Sequence, residues 1–332
     1  MKRDRPVSIW TERDLLDGED ITALVMVLAT SGCAWSHEKG CTMCGYNNDS
    51  LPSVSGQDIE KQVEYGIMER EKTKPKMAKL YTSGSFLDAK EIPPESQKKI
   101  FHLLTDAGVE KILIESRPEF VTNSALEPLT DITKVELALG LESANDTILE
   151  KNINKGFKFQ DYKRAADTAR KTGASIRTYL LLKPPHITEK QALEDVLSSM
   201  KKVSGLTDVI SINPMNIQRG TMVEGLWKKG QYRTPWLWTV VKLLLASPTD
   251  VRTISSPTGG GKRRGAHNCG KCDRDILDAI EEFSLSGQRK KLEHVMKKGC
   301  TCKLAWEDQL KYDGLFPPTT SIEKWRDTTW KT

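Results

Sequence analysis

The seven cysteines of this 332-residue chain fall into two groups: Cys33, Cys41 and Cys44 near the N-terminus, and Cys269, Cys272, Cys300 and Cys302 near the C-terminus. The opening Met1-Lys-Arg-Asp-Arg-Pro6 lacks the apolar core of a signal peptide, so a cytoplasmic chain is expected. In that setting an odd cysteine count argues for metal or catalytic chemistry and against a disulfide framework. The first group has the spacing C-x7-C-x2-C. Three thiolates cannot close a four-thiolate site; if they hold a [4Fe–4S] cluster, one iron is left open to a small chelating molecule. A zinc ion with His37 as fourth ligand, or a set of buried loop cysteines, are the alternatives. The second group pairs a C-x2-C knuckle with a C-x-C one, which suits a closed tetrahedral zinc site. The trailing half is less common, so His267 is an alternative ligand to Cys300 or Cys302, and an auxiliary iron–sulfur cluster or no metal are further readings.

Such loops need a scaffold. Ala23–Ala29 is a continuous apolar run of strand length that ends at Thr30-Ser31-Gly32-Cys33. Further strands are predicted over 79–83, 111–115, 135–141, 175–182 and 208–213, with helices over 57–71, from Pro93-Pro94, over 160–171, around Leu193, Val196 and Met200, and over 236–246. This alternation specifies an α/β fold of parallel strands with right-handed crossovers, an open sheet or a barrel, with chemistry at the carboxyl ends of the strands. Asn213, Asn216 and Arg219 are expected at that mouth, with Arg177 a further candidate. Trp227, Trp236 and Trp238 read as core before they read as base-stacking residues.

With 38% hydrophobic and 29% charged residues the chain is neither disordered nor collagen-like, and no apolar run is long enough to span a membrane. The net charge of +5 is local: residues 251–302 hold 11 Lys and Arg against 6 Asp and Glu, so the rest sums to zero. Two domains are expected, at 1–250 and 251–332, the second a small basic metal-binding module. Its Gly259-Gly-Gly-Lys-Arg-Arg-Gly265 reads as a mobile cationic loop suited to a phosphate backbone, and RNA is the expected partner, with a solubilising charged surface as the alternative.

The loop Cys33 to Cys44 after the first strand resembles that of the radical S-adenosylmethionine superfamily, although C-x3-C-x2-C is the usual spacing there. The resemblance implies a partial (β/α)6 TIM-like barrel, a [4Fe–4S] cluster on Cys33, Cys41 and Cys44, and S-adenosylmethionine on the open iron. Tyr81-Thr-Ser-Gly-Ser-Phe-Leu-Asp88 falls where the superfamily binds the methionine amino group, which implies Gly84 and Ser85 as cofactor contacts. Glu115-Ser-Arg-Pro-Glu119 and Gly140-Leu-Glu-Ser143 match strand ends of the branch that includes the elongator-type tRNA uridine enzymes. From them Glu115, Glu142 and Ser143 are implied as cofactor ligands and Lys155 as a carboxylate partner. Singly, each of Glu115, Glu142 and Lys155 also reads as a strand-end acid, a helix cap or a solvated lysine.

Within the superfamily, residues 8 to 330 are similar to the radical subunits of the archaeosine synthase family. The shared segments are Ser31–Ser36, Cys41–Tyr46, Thr82–Asp88, Ile114–Glu119, Asn213–Asn216, Gly265–Cys272 and the terminal C-x-C. The resemblance implies a lyase that cleaves the lysine carbon–nitrogen bond of a lysine-adducted 7-deazaguanine base in archaeal tRNA, leaving archaeosine, with a lysine-transferring subunit as partner. Another radical RNA-modifying enzyme of elongator type, and a zinc-dependent RNA-binding protein on an idle barrel, are the competing readings.

Overall fold

A computed structural model describes residues 2–312. Of the module expected at 251–332, residues 313–332 lie outside the described residues.

Eight strands form one sheet in chain order: β1 Ser8–Leu16, β2 Glu19–Val27, β3 Met77–Tyr81, β4 Lys111–Ser116, β5 Lys134–Glu142, β6 Ser175–Leu182, β7 Val209–Pro214 and β8 Arg252–Ile254. From β2 onward all ladders are parallel, and β1 is an antiparallel edge strand paired Ser8↔Val27 through Leu16↔Glu19. The six strands read from the apolar pattern are present, each within a few residues. The pattern misses β1 and β8. β1 carries a polar run from Thr11 to Asp14 between apolar ends and shows no period, and its turn is Asp17-Gly18 with φ of 52° and 86°, the left-handed pair that a tight hairpin requires.

The helices are α1 Ala34–Glu38, α2 Gly56–Arg70, α3 Pro94–Asp106, α4 Asn123–Thr130, α5 Asp146–Ile148 running into a π turn over Leu149–Ile153, α6 Phe159–Lys171, α7 Glu189–Val203, α8 Met222–Lys228, α9 Leu237–Leu245, α10 Asp273–Ser286, α11 Lys290–Lys298 and α12 Thr301–Lys311. Capping boxes start α2 (Ser55 with Asp58) and α7 (Thr188 with Gln191), each tying two orphan amides of the first turn. The large apolar core lies between the sheet's outer face and the helices, and it continues into α10, α11 and α12 through Ile276, Ala279, Phe283, Leu292 and Trp306. The division expected after residue 250 falls just ahead of β8, which pairs with β7 and carries α10 behind it.

The inner face is built in layers. At the amino ends of the strands Asp14 accepts from Lys79 at 2.5 Å and from Arg252 at 2.8 Å, while Arg177 bonds Glu136 at 2.5 Å and reaches Asp14 at 3.4 Å. Burial alone would raise the Asp14 carboxyl, but the three cations outweigh it and hold it far below the usual carboxylate range. The Asp14–Arg252 pair joins the first strand to the last, so the curved sheet is drawn together at its base by charge. Arg177, expected near the mouth, is instead buried at this base, because it stands near the amino end of β6. Packed beside it on the inner face is a small apolar cluster of Ala23, Met77, Leu113 and Ala138 with Tyr81 and Tyr179. The carboxyl ends come next.

Candidate active site

Cys33 caps the N-terminus of α1, where its carbonyl accepts from the Ser36 amide at 2.9 Å and hydroxyl at 2.7 Å. The rest of the loop is fastened on both sides. Toward the segment after β5, Trp35 Nε1 donates to the Asn154 carbonyl at 2.8 Å, Asn154 Nδ2 donates to the Gly40 carbonyl at 2.6 Å, and the Thr42 amide and hydroxyl donate to Ile153 and Asn152 carbonyls. Gly156, at φ +81°, leaves room for the Trp35 ring; a Cβ there would stand 2.6 Å from it. Toward the segment after β7, the Gly45 amide donates to Gln218 Oε1 and Asn48 Nδ2 donates to the Arg219 carbonyl at 2.7 Å.

The glycine segment after β3 closes against this loop. A Cβ on Gly84 would meet the Cys33 Cα at 2.8 Å, so only glycine permits the approach. The Ser85 amide donates to Glu91 Oε2 at 2.6 Å, Thr30 donates to Glu91 Oε1 at 2.5 Å, and Ser85 Oγ accepts from the Arg117 amide. Burial pushes the Glu91 carboxyl up to about 7 against those hydrogen bonds. Glu91, missed in the sequence, organises the turn that carries Gly84 and Ser85; only its folded neighbours reveal it.

Across the opening, Lys155 Nζ donates to Glu142 Oε1 at 2.8 Å, with both side chains nearly buried. Burial works against the Lys155 cation, but Glu142 and Cys41 more than compensate and it stays charged. Glu142 sits at φ +70° on a β5 irregularity between Gly140 and Glu142, a conformation few non-glycine residues adopt. That bulge turns Glu142 toward Lys155. Burial pushes the Glu115 carboxyl up to about 7, with a Tyr179 hydrogen bond opposing and the Glu142 charge adding. Ser143 is not brought to the chamber: it is fully buried and its hydroxyl donates to Asp195 on α7 at 2.8 Å. Arg117 stacks over Trp35 and Phe157 and donates to the Lys155 carbonyl at 3.1 Å, a positioning role that the sequence did not disclose.

Burial pushes the Cys41 thiol up, with Lys155 and Arg117 pulling the other way, and raises the Cys44 thiol to about 12. Three thiols on one fastened loop beside the Lys155 cation are a donor set that a [4Fe–4S] cluster could use. His37 faces the Ser31 carbonyl at 3.3 Å. The neighbouring Lys155–Glu142 pair and the neutral-leaning Glu115 could receive the carboxylate, ammonium and hydroxyl groups of an amino-acid-bearing nucleoside.

The second cysteine group closes on itself. Cys269, Cys272, Cys300 and Cys302 bring their sulfurs within 4.8 Å of one another, with separations of 3.7 Å (Cys269–Cys300), 3.7 Å (Cys272–Cys302) and 4.0 Å (Cys269–Cys272). His267 is not in this group; its Nδ1 is taken by Thr234 and the Gly265 carbonyl. Asn268 Nδ2 and Trp238 Nε1 each lie 3.4 Å from a sulfur, of Cys272 and Cys302. Asn268 Oδ1 also caps α9, accepting from the Leu237 amide at 2.9 Å. Trp238 is thus core, and Trp236 and Trp227 are half-buried beneath Arg233 and Arg264.

The curved parallel sheet, with a three-cysteine loop at its carboxyl ends, has the fold of radical S-adenosylmethionine enzymes. The fold is similar to that of a radical SAM methyltransferase from Sphaerobacter thermophilus, with a TM-score of 0.51 at 12% identity over 76% of this chain and 77% of that one. No protein-family model matches the chain. It is 40% identical over 320 residues to archaeosine synthase subunit beta of Methanosarcina acetivorans, covering 93% of this chain and 91% of the relative. The same-named subunit of Thermococcus kodakarensis is 39% identical over 313 residues, covering 91% and 95%. The chain belongs to the archaeosine synthase subunit beta family. Among the described residues no helix is long and apolar enough to cross a membrane.

Proposed function

We propose that this protein is a tRNA-modifying lyase that cleaves the lysine carbon–nitrogen bond of a lysine-adducted 7-deazaguanine base to leave archaeosine, working beside a lysine-transferring subunit. The observation that carries the reading is a fastened three-thiol loop facing Lys155, Glu142 and Glu115, in a chain about 40% identical to two archaeosine synthase beta subunits. Cys33, Cys41 and Cys44 would hold a [4Fe–4S] cluster which, reduced and with S-adenosylmethionine bound, would supply radical hydrogen-atom abstraction. The chain's own residues do the positioning. Gly84 and Ser85 offer a close backbone approach for the methionine amino group, Lys155 stays cationic for a carboxylate, and Glu115, leaning neutral near pH 7, can donate or accept at a ribose hydroxyl or ring nitrogen. Tyr81, Tyr179 and the apolar layer beneath exclude water from the chamber floor.

The second site is a zinc site in this reading. A tetrahedral ion with Zn–S of about 2.3 Å spaces its sulfurs about 3.8 Å apart, close to the separations here. A cluster would place one iron behind each sulfur and spread them further.

Anaerobic reconstitution with iron and sulfide, followed by dithionite and S-adenosylmethionine, tests the chemistry. The expected result is 5′-deoxyadenosine well above a Cys41→Ala control, and archaeosine from lysine-adducted tRNA. No 5′-deoxyadenosine above that control overturns the enzyme reading, and its formation with no change in adducted tRNA overturns the substrate.

A further inference from the structure

Five of the eleven basic residues in 251–302 are tied into the fold. Arg252 pairs with Asp14, Arg264 with Glu224 at 2.7 Å, Lys298 with Asp275 at 2.8 Å and Lys291 with Glu282, while Arg289 donates to the Ser247 carbonyl at 2.7 Å. Lys271 lies between Cys269 and Cys272, where thiolates would offset it. α11 starts at the wrong end for substrate: the Arg289–Ser247 bond ties it to the far end of α9, shortly before β8 begins at the base of the sheet, so Lys290 and Lys291 lie away from the mouth.

Lys262 and Arg263, like the exposed Arg274, Lys290 and Lys297, stand outside these pairs, and they differ in lying on a loop fastened to the mouth. They are exposed, and among the described residues neither has a carboxylate within ion-pair distance. Their loop is not the mobile element expected from its glycines. The Gly261 amide donates to the Ala266 carbonyl at 2.9 Å, the Gly265 amide to the Lys262 carbonyl at 2.9 Å, and Thr234 to the Gly265 carbonyl at 2.6 Å, while Gly259 and Gly261 take φ of +66° and +75°. Arg264 fastens the loop to the segment after β7: its carbonyl accepts from the Ile217 amide at 2.8 Å and its Nε donates back to the Ile217 carbonyl at 3.0 Å. That segment bears the exposed Arg219, whose carbonyl accepts from Asn48 of the three-cysteine loop. A continuous hydrogen-bonded rim therefore runs from Asn48 through Arg219 and Ile217 to Arg263 and Lys262. The ring of Tyr46, two residues past Cys44 and 55% exposed, stands beside it at the chamber opening.

We infer that Arg219, Lys262 and Arg263 form the phosphate grip that seats the RNA substrate on the chamber mouth, an assignment that rests on the RNA reading above. Three cations on a pre-fastened rim engage a polyanion with little ordering cost, and the alternative pair Lys290 and Lys291 at the start of α11 lies toward the base. The zinc knuckle then acts through the loop that precedes it, since His267 and Asn268 follow directly on the fastened Gly265.

The test is tRNA binding by the reconstituted enzyme across a salt series, comparing Arg219→Ala/Lys262→Ala/Arg263→Ala with Lys290→Ala/Lys291→Ala, which removes two charges from the base end of α11. Each phosphate contact contributes roughly 0.7–0.9 to the slope of log affinity against log salt. The rim variant is expected to flatten that slope by about 2 and to lose at least about tenfold in affinity at low salt, with the α11 variant close to wild type. Unchanged metal content and 5′-deoxyadenosine formation without RNA show that the rim variant is folded. Equal losses in both variants, or a larger loss in the α11 one, overturn the rim while leaving the RNA reading intact. Wild-type binding that ignores salt overturns the RNA reading and the rim together.

Discussion

Gly156→Ala tests whether the contact between Trp35 and the segment after β5 holds the three-cysteine loop in place. Two costs add at this position. The backbone sits at φ +81°, where a side chain costs about 1–2 kcal/mol, and the new Cβ would stand 2.6 to 2.8 Å from the Trp35 ring carbons. Ordinary carbon contacts are about 3.5–4.0 Å, so the indole must retreat by about 1 Å, a displacement of the kind that costs about 1–3 kcal/mol. Moving the ring also disturbs the Trp35–Asn154 hydrogen bond and the Arg117 stack upon it. Gly173→Ala supplies the reference: its φ is +82° and nothing lies within 4 Å of its Cβ, so it carries the backbone cost alone. Chemical denaturation should show Gly156→Ala less stable than Gly173→Ala by about 1–3 kcal/mol. Iron bound after reconstitution should fall in Gly156→Ala only, and Gly156→Ala/Trp35→Ala should be less than additive. Equal stability and equal iron content in the two glycine variants would refute the latch.

Three further outcomes are expected. Lys155→Met leaves Glu142 buried without its cation, so it should destabilise by about 3–5 kcal/mol and raise the KM for S-adenosylmethionine at least tenfold; Lys155→Met/Glu142→Gln should recover stability but not KM, and recovery of both would remove Lys155 from the cofactor's carboxylate. Glu91 has a folded-state pKa near 7, above its unfolded value near 4.5, so its stabilising contribution is present below about 4.5 and is lost as pH rises to 7. Denaturation midpoints of Glu91→Gln should therefore fall less than wild type between pH 5 and 8, by up to about 3 kcal/mol, and parallel curves would show that Glu91 does not titrate there. Cys272→Ser should abolish a stoichiometric zinc while leaving the iron of the first site, and lower thermal stability; loss of iron with zinc unchanged would make the second site a cluster.

Much of the fold is legible in the chain because parallel strands covered on both faces are continuous apolar runs, and the helices between them carry a four-residue period. β1 escapes that logic: its inner face ends in Asp14, so its pattern is that of a surface ribbon, and its burial depends on Lys79, Arg177 and Arg252 from three distant strands. β8 is three residues long and carries too few side chains to show a period.

The sequence by itself determined how the thiols are grouped, because their number and spacing are local: three lie within a dozen residues after one strand, and four lie in two knuckles near the C-terminus. Tertiary structure alone decided which charges are available. Eleven basic residues in one segment read as one patch, yet charge acts through distance to its partner, and folding placed acids or carbonyls against Arg252, Arg264, Arg289, Lys291 and Lys298. The same holds for Ser143, just past β5, and Arg177 on β6, which face a helix and the base of the sheet. Glu91 and Asn154 fall in no motif, and the motif segment Ser31–Ser36 gives Trp35 no role; their roles arise from neighbours 61, 119 and 114 residues away in the chain.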